Sequence, residues 1–241
     1  VKQYFGNWQK GEVPKFTYPV PQRASKRAVA LVDRSSSVQS VINVTQPVQM
    51  KIGDSDYISS RVLNQILGGG SASRLFMNLR EDKGYTYGAY SSIGADKLVA
   101  TISANASVRT EVTDSAVYEF IYEIQNLVEN GVTEEELAKA KAELSGSFGR
   151  SLEQPATVAN FALNIDRYNL PKDYYATYLQ KINSLTVEDI NKTAKEIIDP
   201  NKLYITAVGN ASEIKDKLAQ FGEVKMYDNM GQPAKELTAD A

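Results

Sequence analysis

Residues 68–92, GGGSASRLFMNLREDKGYTYGAYSS, mark the change from helical to strand-like sequence that decides the fold of this 241-residue chain. Before them, over residues 54–67, apolar side chains recur at helical spacing, namely Ile58, Val62, Leu63, Ile66 and Leu67. The triple glycine ends that predicted helix, and Ser71 or Ser73 can cap a short second helix, with Leu75, Phe76 and Leu79 facing inward. Residues 87–107 then predict a hairpin that turns at residues 94–97.

The rest of the chain adds strands at both ends of a block of helices. Residues 28–33 and 38–48 are rich in β-branched and apolar residues and predict two strands, and residues 203–208 predict a late one. Helices are expected between the hairpin and the late strand, with a capping box at Thr133 and Glu136, and a last short helix over residues 212–219.

This order of elements predicts an α+β fold, with an antiparallel or mixed sheet and helices packed on one face. The strictly alternating pattern of a doubly wound fold is absent from the sequence. We expect one domain over residues 1–228, followed by a polar C-terminal tail over residues 229–241.

Composition argues against several classes of function. The 27 Lys and Arg residues nearly balance the 29 Asp and Glu residues, so the chain lacks the basic footprint of a nucleic-acid-binding protein. No stretch has the roughly 18 apolar residues that a membrane span needs, so we expect a soluble protein and leave its compartment open between bacterial periplasm and cytoplasm.

The chain begins on Val1, which suggests a segment of a longer protein or a processed one.

Two residue types that carry much enzyme chemistry are missing, because the sequence has neither His nor Cys. It therefore cannot form a His-containing zinc site, a Ser-His-Asp triad, a cysteine nucleophile or a disulfide. A hydrolase of any of those kinds would need its base and its metal on another chain or domain. The acidic run at residues 134–136 complements a helix dipole and needs no metal, so we assign no metal ligand and no cofactor to this chain.

Two sets of residues remain as candidates for binding or catalysis. Gly69 and Gly70 precede a helix, where a glycine loop can bind an anion, although plain helix termination is the structural alternative. Arg80 follows the inward-facing Leu79, and Tyr87 opens a strand seven residues later. A guanidinium and a phenol so placed could together hold a carbonyl oxygen or an oxyanion, and the alternative is a surface arginine with a half-buried tyrosine.

The same stretch resembles a signature of the pitrilysin or insulinase metallopeptidases, peptidase family M16, which include the mitochondrial processing peptidase. That signature has a glycine-rich turn, Ser-Arg-Leu, then Leu-Arg followed by a Gly, and a Tyr seven residues after the Arg. Its elements stand here as Gly69-Gly70, Ser73-Arg74-Leu75, Leu79-Arg80, Gly84 and Tyr87. The resemblance extends more weakly through most of the chain, as in the acidic-start helix at residues 133–148.

The resemblance implies the fold of one domain of such an enzyme, without its metal. In that family, one domain carries His-x-x-Glu-His, whose histidines bind zinc, and a homologous domain contributes the Arg and the Tyr. We therefore expect a substrate-binding, non-zinc domain that is inactive alone, with Arg80 and Tyr87 as donors to the substrate and with Gly69 and Gly70 lining the substrate chamber. Its partners would be a zinc-bearing domain or subunit and a peptide substrate.

Two other functions stay open at this point. A structural or peptide-binding subunit of the same fold would have no chemical need for the two donors, so the presence of both Arg80 and Tyr87 favours the peptidase role. An independent ligand-binding domain is the third hypothesis, and a small molecule retained through purification would point to it.

Overall fold

A six-stranded mixed sheet forms the centre of the protein in the computed structural model, which describes residues 1–234. Its strands are β1 (Ala28–Asp33), β2 (Gln39–Val48), β3 (Thr86–Ile93), β4 (Ala100–Arg109), β5 (Tyr204–Gly209) and β6 (Glu223–Tyr227). They lie side by side in the order β3-β4-β2-β5-β1-β6. The pairs β3-β4, β4-β2 and β2-β5 are antiparallel, whereas β1 pairs in parallel with both β5 and β6. The expected mixed sheet of an α+β fold is confirmed.

Helices lie before the hairpin, between the hairpin and the fifth strand, and after that strand, as the sequence predicts, whereas the short first helix was not predicted. They are α1 (Lys2–Phe5), α2 (Tyr57–Gly68), α3 (Arg74–Phe76), α4 (Thr113–Asn130), α5 (Glu134–Ser151), α6 (Pro155–Tyr168), α7 (Tyr178–Ser184), α8 (Val187–Ile197) and α9 (Ala211–Leu218). Helix α3 continues into a π-helical turn, Met77–Asp82. The predicted capping box is present, since the hydroxyl of Thr133 accepts a hydrogen bond from the Glu136 amide at 3.2 Å. Such a cap stabilises a helix by about 1 kcal/mol.

The core lies between one face of the sheet and the helices. Alternate strand residues such as Leu31, Ile42 and Ile205 are completely buried against helical side chains that include Phe120 of α4. The opposite face carries small or polar side chains, as where Ser103 donates to the amide oxygen of Asn43 at 2.7 Å. The helices therefore cover one face, as expected, and leave the other uncovered.

Two features of the sheet go beyond the sequence prediction. Strands β1 and β2 follow each other in the chain but do not pair, because β5 lies between them. Strand β6 was not predicted, since EVKMY is short and two of its five side chains are charged. Its pairing with β1 places it at the edge of the sheet, where charged side chains remain in solvent.

The ends of the chain are described only in part. Residues 229–234 of the expected polar tail turn back toward β6, and the Ala234 amide donates to the Met226 carbonyl at 3.0 Å. Residues 235–241 of that tail lie outside the described residues. Among the described helices, none has the length and the apolar run required to cross a bilayer.

Candidate functional site

Arg80 and Tyr87 lie next to each other at the end of the sheet where β3 begins. Both line a cleft of about 500 Å³, whose other walls include Gln39 of β2 and Arg109 of β4. The Nε of Arg80 donates to the main-chain carbonyl of Tyr87 at 3.0 Å. The structure thus brings together the two residues that the sequence singled out, and what they bind remains a prediction.

The guanidinium of Arg80 is held on three sides. It lies over the ring of Phe76, with 5.2 Å from Cζ to the ring centroid, and its Nη1 pairs with the carboxylate of Glu81. The third contact is the bond from Nε to Tyr87. The Arg80 side chain is still 41% exposed, and no described residue accepts a hydrogen bond from its Nη2. A positioned but incompletely bonded guanidinium is suited to bind a carbonyl or carboxylate oxygen.

The helical segment that carries Arg80 is fixed by two buried leucines and by an ion pair with α5. Leu75 and Leu79 are completely buried, which sets the rotation of the segment. Arg74, which directly precedes Leu75 in the chain, donates through Nε and Nη2 to the two carboxylate oxygens of Glu136 at 2.6 and 2.8 Å. Burial by itself would raise the pKa of Glu136, but the hydrogen bonds from Arg74 and Thr133 outweigh it and lower that pKa. Arg74 is thus a structural residue that ties this segment to the start of α5.

Tyr87 owes its exposure to a β-bulge. Thr86 pairs with Val108 and Ala89 pairs with Ala106, so two residues of β3 stand opposite one residue of β4. Simple alternation from the buried Ala89 would turn Tyr87 toward the core, but the extra residue in β3 turns it outward instead. Its side chain is 90% exposed. Tyr85, two residues earlier, packs partly against the core and also lines the cleft.

Arg109 is a cleft residue that the sequence analysis missed. It ends β4, and its Nη1 donates to the carbonyl of Gly84 at 2.9 Å while its Nε pairs with Glu111 at 3.0 Å. Arg109 therefore braces the loop between the two predicted donors and places a second guanidinium at the cleft. The antiparallel hairpin brings the end of β4 beside the start of β3, and this register is the signal that could have identified it.

The glycines have packing roles that are visible in the structure. A Cβ on Gly68 would stand 2.3 Å from the amide nitrogen of Ser91, so α2 approaches β3 too closely for any side chain there. Gly69 and Gly70 lie beside Gln65 instead, and neither lines the cleft of Arg80 and Tyr87. The contact of Gly69 and Gly70 with substrate therefore stays a prediction.

The described residues do not offer a metal site. Within residues 1–234, no three His, Cys, Asp or Glu side chains are grouped so that they could hold a metal ion. The cleft is lined by two guanidinium groups and by phenol, amide and hydroxyl groups, with no carboxylate, thiol or imidazole among its lining side chains.

Comparison with known protein families identifies the part of the chain that contains this cleft. The model described as "Peptidase M16 inactive domain" matches residues 1–144, which include α2, the helical segment of Arg80 and both strands of the hairpin.

Individual relatives agree with that match. "Non-peptidase homolog YmxG" of Helicobacter pylori is 27% identical over 74% of this chain, and an uncharacterized zinc protease of Streptomyces coelicolor is 25% identical over 83%. The chain spans 41% and 44% of those two proteins, so it corresponds to less than half of each. A solved peptidase M16 inactive domain from Pseudomonas fluorescens has a TM-score of 0.74 and 27% identity, with 82% of this chain and 46% of that chain covered.

Proposed function

Because the chain belongs to the peptidase M16 family, as an inactive domain of that family, we propose that it holds a peptide substrate against a zinc site on a homologous partner domain. Its sequence has no His and no Cys, so the metal-activated water would be supplied by the partner. This chain would supply binding and electrostatic stabilisation. Alone it would not cleave peptides.

The observation that carries the proposal is the arrangement of donors at the cleft. The Arg80 guanidinium is fixed by Phe76, Glu81 and Tyr87 but keeps Nη2 available, and the Tyr87 side chain is 90% exposed. Of the two donors, the Arg80 guanidinium is already oriented by its contacts, and preorganised donors are what stabilise an oxyanion as it forms.

The role of each donor follows from its chemistry. Arg80 would offer Nη2 to the peptide carbonyl or to the tetrahedral oxyanion. The Tyr87 hydroxyl would donate a second hydrogen bond to the same oxygen. Gly69 and Gly70 would lie farther along the chamber wall and allow the backbone of a peptide or partner to approach.

The test is kinetic and uses this chain assembled with the domain that carries His-x-x-Glu-His. Arg80→Ala and Tyr87→Phe should each lower kcat by about 10² to 10³, the usual cost of one oxyanion donor. The double variant should lose less than the product of the two single losses, because both donors serve one oxygen. Tyr85→Phe is the matched control, because Tyr85 lines the same cleft and its ring packs partly against the core; it should change kcat little if Tyr87 is the donor. Wild-type turnover in Arg80→Ala would remove the catalytic assignment.

A second candidate function is a peptide-binding or structural subunit without catalysis. It is favoured by the name of the Helicobacter pylori relative, which describes that protein as a non-peptidase homolog. An assembled protein that binds a labelled peptide without cleaving it, and whose affinity falls in Arg80→Ala, would select this candidate over the first.

A further inference from the structure

The cleft of Arg80 and Tyr87 contains a second guanidinium that the proposed chemistry does not use. Arg109 ends β4, and its side chain is 51% exposed. Its Nη1 donates to the Gly84 carbonyl at 2.9 Å and its Nε to Glu111 at 3.0 Å, whereas no residue in the described part of the chain accepts from its Nη2. The Arg109 guanidinium is therefore held in place and still has a donor for a ligand.

Two neutral polar side chains lie beside Arg109 on the same face of the sheet. Gln39 of β2 is its partner in the antiparallel register, and Ser107 precedes it by two residues on β4. Residues in register, and residues two apart on one strand, share a face, which here is the face that the helices leave uncovered. All three side chains are exposed, and all three line the cleft.

These side chains together suit a carboxylate. They offer guanidinium, amide and hydroxyl donors, and no Asp or Glu is among the residues that line the cleft. A carboxylate has two oxygens and can accept several hydrogen bonds at once. Its bond with a guanidinium is stronger than that of a neutral amide oxygen, because both partners are then charged. The cleft should therefore prefer a carboxylate to its uncharged isostere.

Glu111 is the carboxylate that competes for Arg109. Its side chain is 70% exposed and does not line the cleft, and it bonds Nε of Arg109, not Nη2. Exposed ion pairs of this kind contribute little to stability. A ligand carboxylate can therefore bind Nη2 beside Glu111, and removal of the Glu111 charge should tighten that binding.

Arg109 lies within reach of a peptide that Arg80 holds. Arg80 donates to the carbonyl of Tyr87, and Arg109 donates to the carbonyl of Gly84, three residues earlier. Three residues span at most about 11 Å, even when fully extended. An extended peptide covers the same distance in about three residues, so a side chain that close to the carbonyl held by Arg80 can contact Arg109.

We propose that Arg109, with Gln39 and Ser107, forms a subsite for a carboxylate of the peptide, so that the preferred substrates carry an acidic residue near the carbonyl held by Arg80. This inference rests on the proposed function, because it concerns the peptide that the same cleft would hold. Arg109 determines specificity and takes no part in breaking the bond. The carboxylate belongs either to an acidic side chain or to the C-terminus of the peptide, and the test separates the two.

The test measures peptide binding by the chain assembled with the zinc-bearing domain, in the presence of a zinc chelator so that nothing is cleaved. Three decapeptides differ only in charge: one with a central Glu and both ends blocked, its Gln isostere, and the Gln peptide with a free C-terminal carboxylate. By titration calorimetry, the Glu peptide should bind about tenfold or more tightly than its isostere. Arg109→Gln should abolish that ratio, and Arg109→Lys, which keeps the charge, should restore part of it.

The ratio of the two Kd values separates this contact from a structural role of Arg109. Loosening of the loop at Gly84 would weaken both blocked peptides equally and leave the ratio unchanged. Glu111→Gln should raise the ratio, because it removes the competing carboxylate. Arg80→Ala should weaken both peptides by the same factor. Arg150→Gln removes an exposed arginine of α5 outside the cleft and is the matched control, which should change neither Kd.

Several outcomes would overturn the subsite or change its ligand. Equal Kd values for all three peptides in the wild type would refute it, as would a ratio that survives Arg109→Gln. Tighter binding of only the peptide with a free C-terminus, lost in Arg109→Gln, would identify the terminal carboxylate as the ligand. Loss of the ratio in Arg109→Gln together with wild-type turnover in Arg80→Ala would refute the proposed catalysis and keep the subsite. The reverse pair of results would keep the catalysis and refute the subsite.

Discussion

Replacing Gly68 by Ala tests whether the glycine run is required by packing. Gly68 ends α2 where the helix meets β3, and an added Cβ would lie 2.3 Å from the Ser91 amide nitrogen and 2.6 Å from its Oγ. Ser91 is 9% exposed and its hydroxyl donates to Asn64 at 2.9 Å, so neither the strand nor the side chain can move freely. By contrast, a Cβ on Gly70 would meet Gln65 Nε2 at 3.2 Å, the end of a flexible side chain.

The expected cost of Gly68→Ala follows from these distances. Restoring an ordinary contact of at least 3.4 Å requires α2 and β3 to separate by about 1 Å, and overpacking of this kind costs about 1–3 kcal/mol. Alanine is the better helix former by up to about 1 kcal/mol, which offsets only part of that cost at a helix end. For a chain of this length, each kcal/mol lowers Tm by about 2–4 °C. Gly70→Ala should stay within about 0.5 kcal/mol of the wild type.

Urea unfolding followed by far-UV circular dichroism measures both variants, and a thermal scan gives Tm. Equal stability of Gly68→Ala and the wild type would refute the close-approach argument. A large loss in Gly70→Ala, with Gly68→Ala unaffected, would show that the wrong glycine has been assigned the packing role. Because Ser91 and Tyr87 share β3, amide chemical shifts should also show whether the strain reaches the cleft.

Two other predictions concern stability. Arg74→Met removes hydrogen bonds that lower the pKa of Glu136, so it should cost about 1–3 kcal/mol at pH 7 in urea unfolding. In the wild type, the lowered pKa of folded Glu136 stabilises the protein at pH values above 4.5, the ordinary pKa of the carboxyl. This stabilisation is lost as the pH falls through the folded-state pKa of Glu136, so the difference in stability between wild type and Arg74→Met should shrink over that range. Tyr174→Phe should leave stability unchanged or raise it by about 1 kcal/mol, because the buried hydroxyl has no hydrogen-bond partner among the described residues. Tyr175→Phe is its matched control and should lose about 0.5–1.5 kcal/mol in the same assay, since it removes the bond donated by Asn164 at 3.0 Å.

The candidate site shows how far local sequence reasoning extends. The pairing of Arg80 with Tyr87 came from the resemblance to the family signature, because their seven-residue spacing alone left a surface arginine with a half-buried tyrosine as the alternative. The outward orientation of the Tyr87 side chain could not be predicted from the sequence, because the β-bulge that causes it depends on how β3 pairs with β4 and not on β3 alone. Arg109 was missed for a related reason, because only the paired hairpin brings residue 109 beside residue 84.

The sequence by itself determined the local elements of this protein and the chemistry it cannot perform. Helical periodicity, the capping box at Thr133 and the glycine stop are short-range signals, and the missing His and Cys exclude His-containing zinc sites and thiolate chemistry whatever the fold. The order of the strands was decided only by tertiary structure. Strand β5 separates β1 from β2, and β6 joins β1 in parallel, because these pairings join residues that are 159 (Thr45 to Tyr204) to 195 (Ala28 to Glu223) positions apart in the chain. No local pattern encodes such a contact, since its free energy arises only when the whole sheet closes over the core.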